Sequence, residues 1–572
     1  MTYIAIDRFA KLCERKWFCF LLILLSCIVT IIIPIAIGGL HASGDLGVYV
    51  SFARDFRDAI GHGEFLPSLG GGSAGYGSLG IRFYPPIAPY VSALISFATN
   101  DWYYAIWIYF IGWMLAGCWG TFLFVGEWGT RPQALFAAVL YAIAPFYLAE
   151  IYQYSLYAEF AAGAVVPFCF FFVTRICRGR RWIDVAGFAV SFSALILTHI
   201  PATMITGLSL LIYVPFVIEW RYLRRIATLL SVASLLSLLA SAFYWIKVVA
   251  EAQWLAHFGD KYSTGMAGYE QWLFPNWIIT RSAPYYYIPI YRNIDALVVL
   301  TALLFLPPIL FLFTVRKNSN GDRRHLIIAS TVTSIFGFFV LSRASWFIWS
   351  HFPLLDKIQF PWRWLTVLTF LGTAAFAFSI PFVLNKGGTM SKITAIYIAC
   401  LISIMLAFDV RQNFMRPNTV TPAKFQEIIK ERTAPGETSF AAWWPIWAKG
   451  DALRTSERVV AGGRDVQISY WERENCSFTI GKGDPTSVRV AAFYYPYWKA
   501  TANGRELDVQ ADENGAIEFS LNAEASEVRL SFQEPYYYSV GLWLSIATWM
   551  LLAALIAGRV KMGREGHVGR PT

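Results

Sequence analysis

The sequence predicts a polytopic α-helical membrane protein, with about 12 transmembrane helices and an external β-rich domain inserted before the last of them. Three observations carry this. Hydrophobic residues make up 56% of the 572 residues and charged ones only 15%, where soluble domains carry about a quarter charged. The deficit is concentrated in apolar runs of roughly 20 residues, the length that crosses a bilayer as a helix. Lys and Arg, which give a formal charge of +10, sit in short segments between those runs, where they set topology. That distribution argues against nucleic acid as a partner.

The basic segments are 8–16, 178–181, 221–225, 316–324, Lys386 and 559–570, and the positive-inside rule places all of them in the cytoplasm. Working outward from them gives spans near 17–39, 103–125, 133–149, 158–177, 182–199, 202–219, 226–246, 295–315, 325–342, 361–384, 392–408 and 539–558. Both ends of the chain then lie inside. The first run, Phe18 to Leu40, is too long for a signal peptide and has no small-residue cleavage site. Trp, Tyr and Phe reach 17% and gather near run ends, as interfacial belts do. The apolar segment from Ile87 to Ala98 follows Pro85-Pro86 and is too short to cross, so an interfacial or re-entrant helix is expected there. The membrane domain is therefore 1–408, with external loops 40–102, 150–157, 247–294 and 343–360. Residues 539–572 hold the last helix and a basic tail. The eight cysteines lie mostly in apolar runs, show no CxxC spacing and read as packing residues.

Residues 409–538 form the external unit. Val488 and Val490, Leu507 and Val509, Ile517 to Leu521 and Val528 to Phe532 alternate with polar residues. Asn503-Gly504 and Asn514-Gly515 supply hairpin turns, so a small antiparallel domain is expected. No solenoid period and no inverted duplication is evident.

No G-x-S-x-G, Walker A or H-E-x-x-H pattern offers a ready mechanism. The candidate groups gather instead at the external helix ends. Asp45 follows the first span, either as a helix cap or as a general base toward an acceptor hydroxyl. Asp55 and Asp58 beside Arg54 and Arg57 read as a solvated, ion-paired face. Glu150 and Glu159 flank a short aromatic loop. Glu159 stands where apolar sequence resumes, a costly place for a carboxylate unless it is paired or faces a wet cavity. Two such acids can flank one site or hold a divalent cation through oxygen. His199, in Leu197-Thr198-His199-Ile200-Pro201, either ends a helix structurally or contacts a phosphate or acceptor. The long third loop carries Glu251, His257, Asp260, Lys261, Glu270 and Arg281 among Trp254, Trp272 and Trp277, which suits sugar rings and interfacial lipid equally. Arg363, just inside an apolar run, either snorkels or binds an anion with its two-pronged guanidinium.

Asp45 after the first span, Gly63-Glu64-Phe65-Leu66-Pro67 and Phe83-Tyr84-Pro85-Pro86 with its apolar helix resemble the first external loop of the GT-C superfamily. Those are integral-membrane glycosyltransferases that use lipid-phosphate-linked sugars. Gln359-Phe360-Pro361-Trp362-Arg363 resembles a motif of one bacterial branch, the 6-pyruvoyl-tetrahydropterin-synthase-related membrane proteins, a designation that implies no pterin chemistry. The run from Phe493 to Lys499 followed by Asn503-Gly504 is similar to the external β-domain of YfhO-like proteins. Two departures stand out. Tyr49 occupies the place, one turn after the first-loop acid, where related proteins often carry histidine. Ser68-Leu69 follows Pro67 where a basic or tryptophan-bearing segment is usual.

The resemblance implies a GT-C-like fold and a single displacement at the anomeric carbon, with inversion. Asp45 deprotonates or orients the acceptor, and Glu150 or Glu159 assists directly or through a metal. Arg363, with His199, meets the leaving polyprenyl phosphate. Tyr49, Arg82 and Gln359 complete the implied substrate- and phosphate-binding set. No cofactor is implied beyond the option of a divalent cation on Asp45 and Glu159. The implied partners are a polyprenyl-phosphate sugar, a glycan, lipid or protein acceptor, and membrane lipids. The implied location is a bacterial inner membrane, with termini cytoplasmic and the site and β-domain periplasmic. Two rivals remain, a lipid or polysaccharide flippase or transporter and a non-catalytic envelope assembly protein. A transporter calls for ionisable groups near mid-membrane and internal repeats, whereas these acids cluster at helix ends.

Overall fold

A computed structural model describes residues 11–42, 45–72, 75–256, 268–276, 288–314, 321–352, 355, 357–384, 388–414, 419–431, 441–454 and 457–568. His257, Asp260, Lys261, Trp277 and Arg281 lie outside the described residues.

Ten helices among the described residues are long and apolar enough to cross a membrane: Lys16–Gly38, Trp102–Trp128, Arg131–Tyr152, Tyr157–Gly179, Ile200–Val217, Trp220–Ala240, Ile288–Phe313, Pro361–Ile380, Ser391–Gln412 and Tyr536–Gly558. The two other expected spans are also helical but differ in kind. Trp182–Ile196 has 15 residues, about 22 Å at 1.5 Å per residue, which is short of a hydrocarbon core of about 30 Å. Gly321–Val340 opens on Asp322, Arg323 and Arg324. The helix expected behind Pro85-Pro86 is present as Ile87–Thr99.

Several helices carry their own punctuation. Arg131–Ala142 starts with a capping box of Thr130 and Gln133. Its span breaks at Ala144, ahead of Pro145, because the residue before proline leaves the α region. The second piece, Pro145–Tyr152, ends with Glu150 in its last turn. Gly117 lets two spans approach closely, since a Cβ there would stand 3.0 Å from the Ala164 Cα.

The bundle has two ends of opposite character. At one, ion pairs join the basic segments: Arg131–Glu14 at 3.1 Å, Arg175–Glu127 at 3.0 Å, and Arg178–Asp322 and Arg180–Glu219 at 2.9 Å. The first-loop end is tied differently. Ile87 N–H donates to Leu197 O at 2.9 Å and the Tyr244 hydroxyl to Phe83 O at 2.8 Å. A two-residue ladder pairs β1 (Leu40–His41) with β2 (Thr419–Val420), stitching the first span to the chain leaving Gly388–Phe414. That helix runs past residue 408, where the expected membrane domain ends.

The strands that follow build two antiparallel sheets. One has the order β3 (Val459–Val460), β6 (Thr486–Phe493), β10 (Ala516–Leu521), β9 (Gln510–Ala511). The other has the order β4 (Val466–Trp471), β5 (Asn475–Ile480), β11 (Ser526–Phe532), β7 (Trp498–Ala502), β8 (Arg505–Leu507). Phe478, Val488, Val490, Ile517, Phe519, Val528 and Leu530 meet in one core between them, as in a sandwich. Asn503 and Gly504 both take positive φ, 50° and 81°, as a two-residue hairpin between β7 and β8 needs.

The first loop is pinned to this sandwich, and here Asp55 departs from expectation. On the Leu46–Gly61 helix it falls in register with Phe52, Phe56 and Ala59 and is buried with them. Its Oδ1 accepts the Gly71 N–H at 2.8 Å, and Arg473 Nη1 donates to its backbone oxygen at 3.1 Å. A Cβ at Gly70 would collide with the carboxylate, so that position needs glycine. Burial raises the Asp55 carboxyl from 3.8 to about 6, with Arg473 and the Gly71 N–H pulling the other way. A raised carboxyl contributes stability that is complete below pH 3.8 and is lost as pH rises through about 6, on the order of 3 kcal/mol. Asp55→Asn keeps an acceptor for Gly71 and cannot ionise. Its melting temperature should therefore stay flat across pH 4–7 relative to a falling wild-type curve; parallel curves would refute the assignment.

Candidate active site

Asp45 is the residue before the Leu46–Gly61 helix. Its carbonyl accepts the Tyr49 N–H at 2.9 Å, but its side chain caps nothing and forms no hydrogen bond among the described residues. The residue is solvent-exposed, with protein packed close enough around the carboxylate to perturb it. Those surroundings raise its pKa, and the charge of Arg363 opposes them. A base held above the ordinary carboxylate range and open to water is suited to taking a proton.

Across from it lies Arg363, in the short Pro361–Trp364 turn that leads into a span. It does not snorkel. Its Nε donates to Glu159 Oε2 at 3.1 Å, its Nη1 to Ile358 O at 2.8 Å, and its Cζ lies 4.9 Å from the Phe360 ring centre. Nη2 makes no hydrogen bond among the described residues, which leaves one guanidinium edge for an incoming anion. Gln359 sets this geometry through its backbone, with φ 67° and the Phe360 N–H donating to Ile358 O at 2.8 Å, a strained γ-turn. Its side-chain amide makes no hydrogen bond among the described residues and stays uncommitted.

Glu159, in the first turn of Tyr157–Gly179, also accepts from Thr366 Oγ1 at 3.3 Å. Glu150 is fully buried, and neither of its oxygens has a hydrogen-bond partner, although Glu159, Arg363 and Thr366 are its neighbours. His199 is at the N-terminus of Ile200–Val217, where its Nδ1 accepts the Ala202 N–H at 3.3 Å. Burial, then the charge of Arg363, lowers its pKa well below the ordinary value. The ring is therefore neutral at neutral pH, with Nδ1 as acceptor and Nε2–H as the remaining donor.

Two expected ligands belong elsewhere. The Tyr49 hydroxyl is buried, donating to Ala88 O at 2.6 Å and sharing a hydrogen bond with Ser92 Oγ at 2.7 Å, which joins the Leu46–Gly61 and Ile87–Thr99 helices. Arg82 is 0% exposed and saturated. Its Nε and Nη2 hold Glu251 at 2.6 and 2.7 Å, while Nη1 and Nη2 hold Glu534 at 2.7 and 2.9 Å. No edge is left for a phosphate. Conversely, Tyr84 and Thr366 join the site without having been singled out. Burial, then the charge of Asp45, raises the Tyr84 phenol well above its ordinary value. Its place in Phe83-Tyr84-Pro85-Pro86 was the available signal. Thr366 is one helical turn beyond Trp362 and carried none.

A divalent cation fits this donor set poorly. Glu159 is committed to Arg363, whose charge also faces Asp45, and among the described residues no group of three or more His, Cys, Asp or Glu can hold a metal ion. The arrangement has the chemistry of an anion seat beside a free base, and no step below runs through a metal.

The family described as 6-pyruvoyl-tetrahydropterin synthase related domain, membrane protein, matches residues 81–415, a stretch that holds Glu150, Glu159, His199 and Arg363. Among curated proteins there is no match. Among solved structures the chain is similar to ArnT from Cupriavidus metallidurans bound to undecaprenyl phosphate, at 11% identity and a TM-score of 0.34, covering 87% of this chain and 97% of that one. It is similar to the Archaeoglobus fulgidus oligosaccharyltransferase tethered with an acceptor peptide, at 13% and 0.35, covering 73% and 59%. It is also similar to the arabinosyltransferase EmbB from Mycobacterium smegmatis, at 12% and 0.34, covering 90% and 62%.

Proposed function

The chain belongs to the 6-pyruvoyl-tetrahydropterin synthase related membrane proteins, and from that premise we propose that it is a membrane glycosyltransferase of GT-C type. It moves a sugar from a polyprenyl-phosphate donor to a hydroxyl of an envelope glycan, lipid or protein. The observation that carries this reading is the pairing of an unbonded, accessible carboxylate, Asp45, with an inward-held guanidinium, Arg363, that keeps one edge unused.

The step is one displacement. Asp45 takes the proton of the acceptor O–H as that oxygen bonds to the anomeric carbon. The bond from that carbon to the phosphate oxygen breaks, its electron pair staying on the phosphate. Arg363 Nη2 and His199 Nε2–H meet the growing charge, while Glu159, Ile358 O and the Phe360 ring fix the guanidinium beforehand. Attack opposite the leaving group inverts the anomeric configuration.

Transfer tests the reading directly. The protein in nanodiscs, given labelled polyprenyl-phosphate sugars and an envelope-glycan extract, should yield product of inverted configuration by NMR. A retained configuration, or no transfer from any donor, would remove the reading. Arg363→Lys keeps the charge but loses the fork that engages Glu159 and Ile358 together. The variant should lose about 10²–10³-fold in kcat, comparable to the loss of one oxyanion donor. An unchanged kcat would move the phosphate seat away from Arg363.

A further inference from the structure

Away from Asp45, a recess of about 310 Å³ opens between the far end of the Leu46–Gly61 helix, the glycine-rich segment after Pro67 and the mouth of the sandwich. Among its lining residues are Glu64, Arg458, Trp471, Glu472, Arg473 and Trp498. Its size is at the small end of ligand pockets, about 300–1,000 Å³.

Both walls are held in place without a ligand. Glu474 accepts the N–H groups of Ser68 and Leu69 at 2.5 and 2.9 Å, and Gly70 and Ser78 exchange backbone hydrogen bonds at 2.8 and 3.1 Å. Tyr76 O accepts the Phe493 N–H at 2.8 Å. The groups facing the opening are less committed. Arg473 spends only Nη1, on Asp55 O, and its Nε and Nη2 edge makes no hydrogen bond among the described residues. Arg458 lies over the Trp471 ring at 5.1 Å. Trp498 is 5% exposed, and its indole N–H is buried with no partner.

Two guanidinium groups, two carboxylates and indole rings, closely spaced and balanced in charge, complement a molecule whose edges both donate and accept and whose faces are C–H. That is a pyranose. The 14 residues from Asp45 to Ala59 span about 21 Å of helix, too far for one sugar to touch both places. We propose that this recess binds sugar units of an oligosaccharide or polysaccharide acceptor well away from its reacting end, which lies at Asp45. The proposal rests on the glycosyltransfer reading for the word acceptor, and on the recess itself for the saccharide.

Binding and transfer separate the two. Saturation-transfer NMR on the protein in nanodiscs, with an N-acetylglucosamine trimer and a galacturonic acid trimer as probes, should show saturation of at least one trimer. Wild type and Asp45→Asn should behave alike. Trp471→Ala and Arg473→Gln should each weaken binding about tenfold, the size of one charged hydrogen bond or stacked ring lost. Trp471→Phe should restore part of the loss. No saturation of either trimer, or full saturation in the Trp471→Ala/Arg473→Gln double variant, would overturn the proposal. Binding without transfer by wild type would sustain the recess and sink the transferase reading, whereas transfer without binding would sink the recess alone.

Discussion

Replacing Asp45 with Asn is expected to lower sugar transfer by about 10²–10⁴-fold, the range that one positioned general base supplies. The substitution is unusually clean here. Asp45 begins a helix, but its carbonyl rather than its side chain makes the first helical bond, so no hydrogen bond of the fold is lost. Exposed substitutions of that kind change stability by about 0.5 kcal/mol or less. Asn keeps the volume and an acceptor oxygen and loses the charge together with the capacity to take a proton. Initial rates in nanodiscs at saturating donor, read beside melting temperatures, give the comparison. Matched stability with collapsed kcat assigns the base. Matched rates would remove Asp45 from the chemistry and leave Glu150 as the candidate, since it is the remaining carboxylate of the group with no hydrogen-bond partner.

Much of the architecture was legible because its determinants are local. Apolar length and basic punctuation located a helix at every expected span, ten of the twelve being long and apolar enough to cross, and alternation with Asn503-Gly504 located β6, β8, β10 and β11. β3, β4, β5, β7 and β9 were missed: β3 and β9 are two residues each, and β4 is largely exposed on both faces and so has no alternation to read. The acids, His199 and Arg363 could be placed at one end of the bundle by topology, but not paired. Glu159 and Arg363 are 204 residues apart, and Arg82 lies 169 and 452 residues from its two carboxylates. Nothing in the neighbourhood of Arg82 distinguishes a phosphate ligand from a buried clamp. Asp55 is different, because its signal was present. It occupies an apolar-stripe position between Phe52 and Phe56, and an acid there is buried with a partner more readily than solvated beside Arg54 and Arg57.

The largest effect on the fold is expected from Arg82→Ala, at about 3–5 kcal/mol, the cost of breaking a buried ion pair from one side. One guanidinium there serves two carboxylates from different parts of the chain. Glu251 ends the Ala242–Glu251 helix and also accepts from the Tyr495 and Tyr537 hydroxyls at 2.6 Å each. Glu534 links the last strand to the last helix. Lys247, its amine lowered to about 8 by burial and by the charge of Arg82, lies over the Tyr538 ring and offers a single point charge where the guanidinium offers a two-edged fork. Removing Arg82 leaves the fully buried Glu251 without its cation and unfastens the first loop, the Ala242–Glu251 helix and the sandwich from one another. Tyr84, beside Asp45, is two residues on, so transfer should fall along with stability. Arg82→Lys should restore little, because a point charge cannot hold two carboxylates through parallel hydrogen bonds. Arg82→Met with Glu251→Gln should restore more, because the uncompensated charge is gone. Melting in detergent and protease nicking of the segment around Pro67 read the two halves of the effect. A variant Arg82→Ala that melts with wild type yet loses donor affinity would return Arg82 to the phosphate and dissolve the clamp.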